Sequence, residues 1–200
     1  MNSVRYMKVI DHWLTDARRV ESCNCDDRPD AGDISLVVIH GISLPPGQFG
    51  GDWIDRLFTS TLEPTAHPYF QRICGIRVSA HALVRRDGEL VQYVPFHRRA
   101  WHAGPSSYRG RERCNDFSIG IELEGADDVP YADAQYDGLA DVLAALFEAY
   151  PSLSPNRIVG HSDIAPGRKT DPGPSFDWGR LYRLLSARGF RRTECDAIRA

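Results

Sequence analysis

The apolar positions of this chain follow two periods, and the switches between them mark its elements. Leu36-Val37-Val38-Ile39-His40 is a continuous β-branched apolar run stopped by Gly41, the pattern of a strand buried on both faces, which puts His40 at a strand end. SLPPGQFGG then reads as a loop, and DWIDRLFTSTL carries Trp53, Ile54, Leu57, Phe58 and Leu62 at helical spacing. Val78 to Val84 and Leu90 to Val94, joined by Arg86-Asp87-Gly88, predict a β-hairpin. Between Phe117 and Gly125 the apolar Ile119, Ile121 and Leu123 alternate with Gly120, Glu122 and Glu124. Period two makes this a strand that turns both carboxylates away from its apolar face.

From Asp133 to Tyr150 the positions Tyr136, Leu139, Leu143, Leu146, Phe147 and Tyr150 mark one side of a long amphipathic helix, ended by Pro151. Arg157-Ile158-Val159-Gly160 predicts a short strand, and Phe176 to about Leu185 a last helix; ARGFRRTECDAIRA beyond it reads as a tail. Strands and helices interleave irregularly around at least one hairpin. The expected fold is therefore α+β, a mixed central sheet flanked by helices, rather than a doubly wound parallel sheet.

A chain of 200 residues with 42% apolar content can bury one ordinary core, so a single domain is expected, with residues 186–200 as its tail. Its 24 basic and 27 acidic side chains leave a formal charge of -3 without a long run of either sign, so no footprint for nucleic acid or an anionic membrane stands out. MNSVRYMKVIDHWLTDARR lacks the apolar stretch of a signal peptide and no segment has the length of a membrane span, which makes cytoplasmic residence the expectation. The five cysteines (Cys23, Cys25, Cys74, Cys114, Cys195) form no C-x-x-C pairs, so reduced thiols are expected.

The stretch GHSDIAPGRKTDPGPSFD, residues 160–177, is too rich in Pro and Gly to be read as a helix. His40 and His161 both stand where the chain leaves a predicted strand, and Asp171, ten residues after His161, lies where such a segment can curl back. Hydrolytic zinc sites use three such ligands and leave the fourth position to water. Seven histidines make other readings easy, however. His12 falls in a segment read as helical, and His67 precedes Pro68 in a loop; both suit surface or capping roles. His81 alternates with apolar strand residues, as a core histidine would, and His97 stands beside Arg98 and Arg99. His102, between Trp101 and Ala103, fits a structural role and a substrate groove equally. By spacing alone, a metal role for His40 and His161 stays one reading among several.

Several blocks in one order add a further constraint: VVIHGISLPPGQFGG, HPYF, RVSAHALVRRDG, VQYVPFHRRAWHAG, GRERCNDFSIGIELEG and GHSDIAPGRKTDPGPSFDW. Together, over roughly residues 12 to 185, they resemble the cytoplasmic 1,6-anhydro-N-acetylmuramyl-L-alanine amidases of the AmpD type. These belong to a wider group of zinc amidases related to phage T7 lysozyme and the peptidoglycan recognition proteins, which share a mixed sheet with helices around it. The resemblance implies one catalytic zinc ion on His40, His161 and Asp171, a catalytic carboxylate at Glu122 and a catalytic lysine at Lys169. It selects Glu122 over Glu124, whose ordinary alternative is a solvated or salt-bridged strand edge.

The implied substrate is an anhydromuropeptide, cut at the amide between the lactyl group of anhydro-N-acetylmuramic acid and L-alanine during wall recycling. In bacteria that use such fragments as a signal, their removal keeps an inducible β-lactamase quiet. Tyr69, Arg77, Trp101, Arg113 and Arg168 fall in matched blocks and offer a ring for the sugar and cations for peptide carboxylates; structural salt bridges would account for the arginines as well. In one departure, Gly41 stands where relatives carry Asn, which puts a sugar contact from that side chain in doubt. Two alternatives remain: a non-catalytic muropeptide-binding protein, and an amidase acting on intact peptidoglycan. No obligate protein partner is expected.

Overall fold

The computed structural model describes residues 7–193. Six strands form its main sheet: β1 (Arg18–Arg19), β2 (Leu36–Ile42), β3 (Ala82–Val84), β4 (Leu90–Gln92), β5 (Ser118–Glu124) and β6 (Ile158–Gly160). Their spatial order is β6-β2-β5-β3-β4-β1. β5 runs parallel to both β2 and β3, β6 parallel to β2, and β1 parallel to β4, while β3 and β4 form the antiparallel hairpin. The sheet is mixed, as the interleaved pattern predicts. Strand pairs Val9–Ile10 with Trp13–Leu14, Cys25–Asp27 with Arg98–Ala100, and Ser107–Tyr108 with Arg111–Glu112 lie outside it.

The central strands β2 and β5 are the longest, and alternation along them sorts side chains between two buried faces. Val37 and Ile39 of β2 join Ile119, Ile121 and Leu123 of β5 in a core shared with Leu139, Val142, Leu143 and Leu146 of α3 (Asp133–Ala149) and Leu181 and Leu185 of α5 (Trp178–Ala187). On the opposite face, Leu36 and Val38 pack with Ala103, Cys114, Phe117 and Ile164. A third cluster gathers Ile54, Leu57 and Phe58 of α1 (Trp53–Phe58) and Phe70 of α2 (Pro68–Ile73) against Leu83, Val91 and Tyr93. Glu122 and Glu124 do point away from the isoleucine face, but into protein rather than water, because helices and loops cover both sides of the central strands.

Several expectations change. His12 stands in the turn of a small hairpin, at φ 68, with its Nδ1 2.8 Å from the Tyr150 hydroxyl, not in a helix. The helix expected to reach Leu62 ends at Phe58. His67, read as a loop residue suited to capping, does cap a helix: Pro68–Ile73 form α2, which Pro68 opens and the His67 ring caps by accepting the Tyr69 N–H at 3.1 Å. The tail begins later than residue 186: α5 continues to Ala187, and the Phe190 ring meets Phe147 edge to face at 5.2 Å. Residues 194–200, Cys195 among them, lie outside the described residues, among which the four cysteines are free thiols. No helix of the described residues is long and apolar enough to cross a membrane.

Candidate metal centre and active site

In the parallel pairing of β2 with β5, His40 lies directly beside Glu122. Both side chains therefore emerge from the same sheet face on adjacent strands. β6, on the other side of β2, delivers His161 as its chain leaves the sheet. Here the structure corrects the sequence reading: His161–Ile164 is a helical turn, α4, with Asp163 capping it by accepting the Gly160 N–H at 2.7 Å. After that turn the chain does curl back. The Ser162 N–H donates to the Asp171 carbonyl at 3.0 Å, and the Tyr131 hydroxyl donates to the Pro172 carbonyl at 2.9 Å. These bonds hold Asp171 against His161.

Three donor atoms meet as a result. His40 Nδ1 lies 2.9 Å from His161 Nδ1 and 3.2 Å from Asp171 Oδ2, and His161 Nδ1 lies 3.0 Å from that same oxygen. The rings' other nitrogens are already engaged: His161 Nε2 faces the Ala103 carbonyl at 3.2 Å, and His40 Nε2 faces His102 Nδ1 at 2.9 Å. A carbonyl only accepts, so His161 carries its proton on Nε2 and presents a lone pair at Nδ1. Two imidazole lone pairs and a carboxylate oxygen turned toward one point repel unless a cation sits among them. A tetrahedral zinc ion at about 2.0–2.1 Å from its ligands spaces them by roughly 3.3 Å, close to the separations present. The donor set fits zinc in kind, number and spacing.

The electrostatics agree. Burial pushes the His40 imidazole down to about 4, so it is neutral at neutral pH, as a ligand must be. Glu122 is the opposite case: burial, then the Asp171 charge, push it well above the ordinary value, and Lys169 opposes them. Its Oε2 is buried and has no hydrogen-bond partner among the described residues, a condition that costs stability.

A cavity of about 190 Å³ brings these groups together; His40, His161, Asp171, Glu122, Lys169 and Trp101 are all on its wall. Lys169 is itself exposed, at the end of the loop that Ala165 anchors by accepting its backbone N–H at 3.1 Å. Of the five residues suggested as substrate contacts, Trp101 lines this cavity and Tyr69, Arg77, Arg113 and Arg168 do not. Trp101 is anchored by its Nε1–H to Asp26 at 3.0 Å, and the Arg77 guanidinium lies 5.1 Å from its ring centre. Tyr69 sits on α2 with Arg72 over its ring, and exposed Arg113 pairs with Asp116 at 3.2 Å. Arg168 donates to the Ala103 and Pro105 carbonyls at 2.6 and 2.7 Å, tying down the loop that faces His161.

Gly41 has a local reason. A Cβ there would overlap the Tyr131 hydroxyl that holds Pro172, so an asparagine would have to displace the brace next to Asp171. Among the remaining histidines, His81 is a core residue that accepts the Gly120 N–H at 3.0 Å and lies 3.1 Å from Arg28 Nη2, and the His97 ring lies tilted against His12 at 4.4 Å. Sequence patterns leave His102 undecided and do not single out Asn115, whose Oδ1 accepts the N–H groups of both His102 and Ala103 at 3.1 and 2.8 Å. The one local signal is Gly120, a bare position in an otherwise regular strand.

Comparison with known proteins places this geometry. The family profile described as N-acetylmuramoyl-L-alanine amidase matches residues 30–174. The 1,6-anhydro-N-acetylmuramyl-L-alanine amidase AmpD of Citrobacter freundii is 63% identical over 180 residues, 90% of this chain and 96% of that protein. A crystal structure of an AmpD selenomethionine derivative superposes with a TM-score of 0.87 at 63% identity, covering 90% of this chain and 99% of the other. The Escherichia coli amidase AmiD, solved with the substrate anhydro-N-acetylmuramic acid-L-Ala-D-γ-Glu-L-Lys, superposes at 0.57 with 28% identity, covering 93% of this chain and 66% of that one.

Proposed function

The chain belongs to the N-acetylmuramoyl-L-alanine amidase family, and on that footing we propose that it is a zinc-dependent hydrolase of the lactyl-L-alanine amide in 1,6-anhydro-N-acetylmuramyl peptides, acting in cell-wall recycling. The observation that carries this reading is the meeting of His40 Nδ1, His161 Nδ1 and Asp171 Oδ2 beside a buried glutamate, one oxygen of which has no partner among the described residues.

Zinc bound by these residues supplies a Lewis acid that lowers the pKa of a water toward about 7 and polarises an amide carbonyl. Glu122 accepts the proton of the attacking water as its oxygen bonds to the lactyl carbon. The raised affinity of this carboxyl for a proton suits it to hold that proton and then deliver it to the alanine nitrogen as the C–N bond breaks. Lys169, on the same wall, faces the negative charge that grows on the carbonyl oxygen. The cavity is smaller than the roughly 300–1,000 Å³ of a pocket that engulfs a whole ligand, which suits a site that grips the scissile amide and leaves sugar and peptide on the surface around it. There the Trp101 ring is the favoured sugar contact, braced by Arg77. Tyr69, Arg113 and Arg168 would meet substrate only beyond the cavity wall.

The test is to incubate the purified protein with anhydromuropeptides and, separately, with whole murein, each with zinc and with a chelator, and to identify products by mass. Free stem peptide beginning at L-alanine, released from anhydromuropeptides only when zinc is present, is expected. Turnover insensitive to metal removal would sink the mechanism. Binding without turnover would make the protein a muropeptide receptor, and cleavage of whole murein alone would move the substrate to the intact wall.

A further inference from the structure

His102 is on the wall of the same cavity and takes no part in the chemistry just described. Its Nδ1 is 2.9 Å from His40 Nε2, and its Nε2 is 3.2 Å from Ser118 Oγ. The Ser118 hydroxyl donates its proton to the Cys114 carbonyl at 2.6 Å, so toward His102 it can only accept. That sets the direction of the whole chain. His102 carries its proton on Nε2, its Nδ1 offers a lone pair, and His40 donates Nε2–H to it. A neutral His40 then has no proton on Nδ1, the nitrogen turned toward His161 and Asp171.

Two further features hold His102 in that place. Asn115 Oδ1 accepts its backbone N–H. Gly120 on β5 provides room for the ring, since a Cβ there would overlap the imidazole. The backbone of Gly120 has no positive φ, so its conformation does not call for glycine; the space filled by His102 does.

We propose that His102 is a positioning residue that fixes the tautomer and ring orientation of His40, and that Gly120 is glycine to admit it. The inference rests on the zinc reading above, and it concerns how firmly the ion is held rather than which bond is cut. Removing the acceptor lets the His40 ring rotate or take the other tautomer, and an outer partner of this kind changes metal affinity by about 10- to 100-fold.

The measurement is zinc affinity of the full chain by competition with a chromophoric chelator, with the melting temperature of each metal-free protein as the check on folding. His102→Leu is expected to weaken zinc binding about 10- to 100-fold, and Gly120→Ala to weaken it without altering any group of the chain His40, His102, Ser118. His102→Asn, whose Oδ1 stands close to the place of Nδ1, is expected to keep affinity within a few-fold. Long-range ¹H–¹⁵N spectra of the metal-free wild type are expected to show His40 protonated on Nε2, a readout that does not depend on whether a variant folds. Unchanged affinity in a folded His102→Leu, or His40 protonated on Nδ1 in the wild type, would overturn the positioning role while leaving the amidase reading intact. A wild type that binds no zinc would overturn both.

Discussion

Glu122 and Glu124 lie two residues apart on one strand, point to one face and are both buried, yet their surroundings differ in every polar respect. Glu124 accepts the Gly50 N–H at 2.5 Å and the Arg86 N–H at 3.2 Å, and lies 3.6 Å from the buried Arg85 guanidinium. It thereby ties the loop before α1 and the β3–β4 turn to the sheet. Glu122 has a buried oxygen without a partner among the described residues and a carboxyl pushed well above its ordinary value, and it faces His40 across the strands. A buried carboxylate whose hydrogen bonds are met by the protein is part of the scaffold. One left unmet beside a converging His-His-Asp cluster is available for proton transfer.

The largest expected effect lies at the Glu122 end of this contrast. Asp171→Ala leaves two ligands, so zinc content measured by atomic absorption should fall toward none and turnover by more than about 10³-fold, several kcal/mol of transition-state stabilisation. Retained zinc and activity would remove the basis for treating the two glutamates differently. Next, Glu122→Gln should lower kcat by about 10² to 10⁴-fold with zinc still bound and thermal stability kept. Glu124→Gln should do the reverse: Arg85 keeps Asp55 and Glu89 as counter-charges, but the Gly50 and Arg86 N–H groups lose a charged acceptor, a loss of about 1–3 kcal/mol, read as a melting point lower by roughly 2–12 °C, with turnover per folded molecule little changed. If the two variants gave the same phenotype, the contrast would fail.

Lys169→Ala should cost about 10² to 10³-fold in kcat with a smaller change in KM, because the charge it faces grows only in the transition state. An effect confined to KM would make Lys169 a binding residue instead.

The smallest effect is on the pH dependence of the metal-free protein. The Glu122 carboxyl is raised above its ordinary value of 4.5 in the folded state, so the native state holds this proton more tightly than the unfolded chain. That contribution to stability is full below the unfolded value and is lost as pH rises through the folded one. The melting temperature should therefore decline over this window by more in the wild type than in Glu122→Gln, measured after chelation. Equal slopes would show that Glu122 is not the group responsible.

Much of the fold is legible in the order of residues alone. The continuous apolar run at residues 36–39 and the alternation at 119–123 identify β2 and β5, and the 3.6-residue spacing from Tyr136 to Phe147 identifies α3. In each, burial of one face or both is written into the local order of side chains. Where local order is short or mixed, it does not reveal the element: α2 has one buried apolar residue, Phe70, and α4 is a single turn whose residues pattern like the loop around them. The triad of ligands is reached through family resemblance, since spacing alone cannot choose among seven histidines.

What the sequence determined by itself is which segments become strands and helices and which side chains share a face, because these follow from periods of two and 3.6 along the backbone. It therefore already placed Glu122 and Glu124 together, on the face opposite Ile121. Tertiary structure alone decided that Glu124 meets Gly50 and Arg86, that Glu122 meets His40, and that His102 settles over Gly120 beside His40. Those partners come from other strands and loops, and only the register of the folded sheet says which groups are left to satisfy one another and which oxygen is left over.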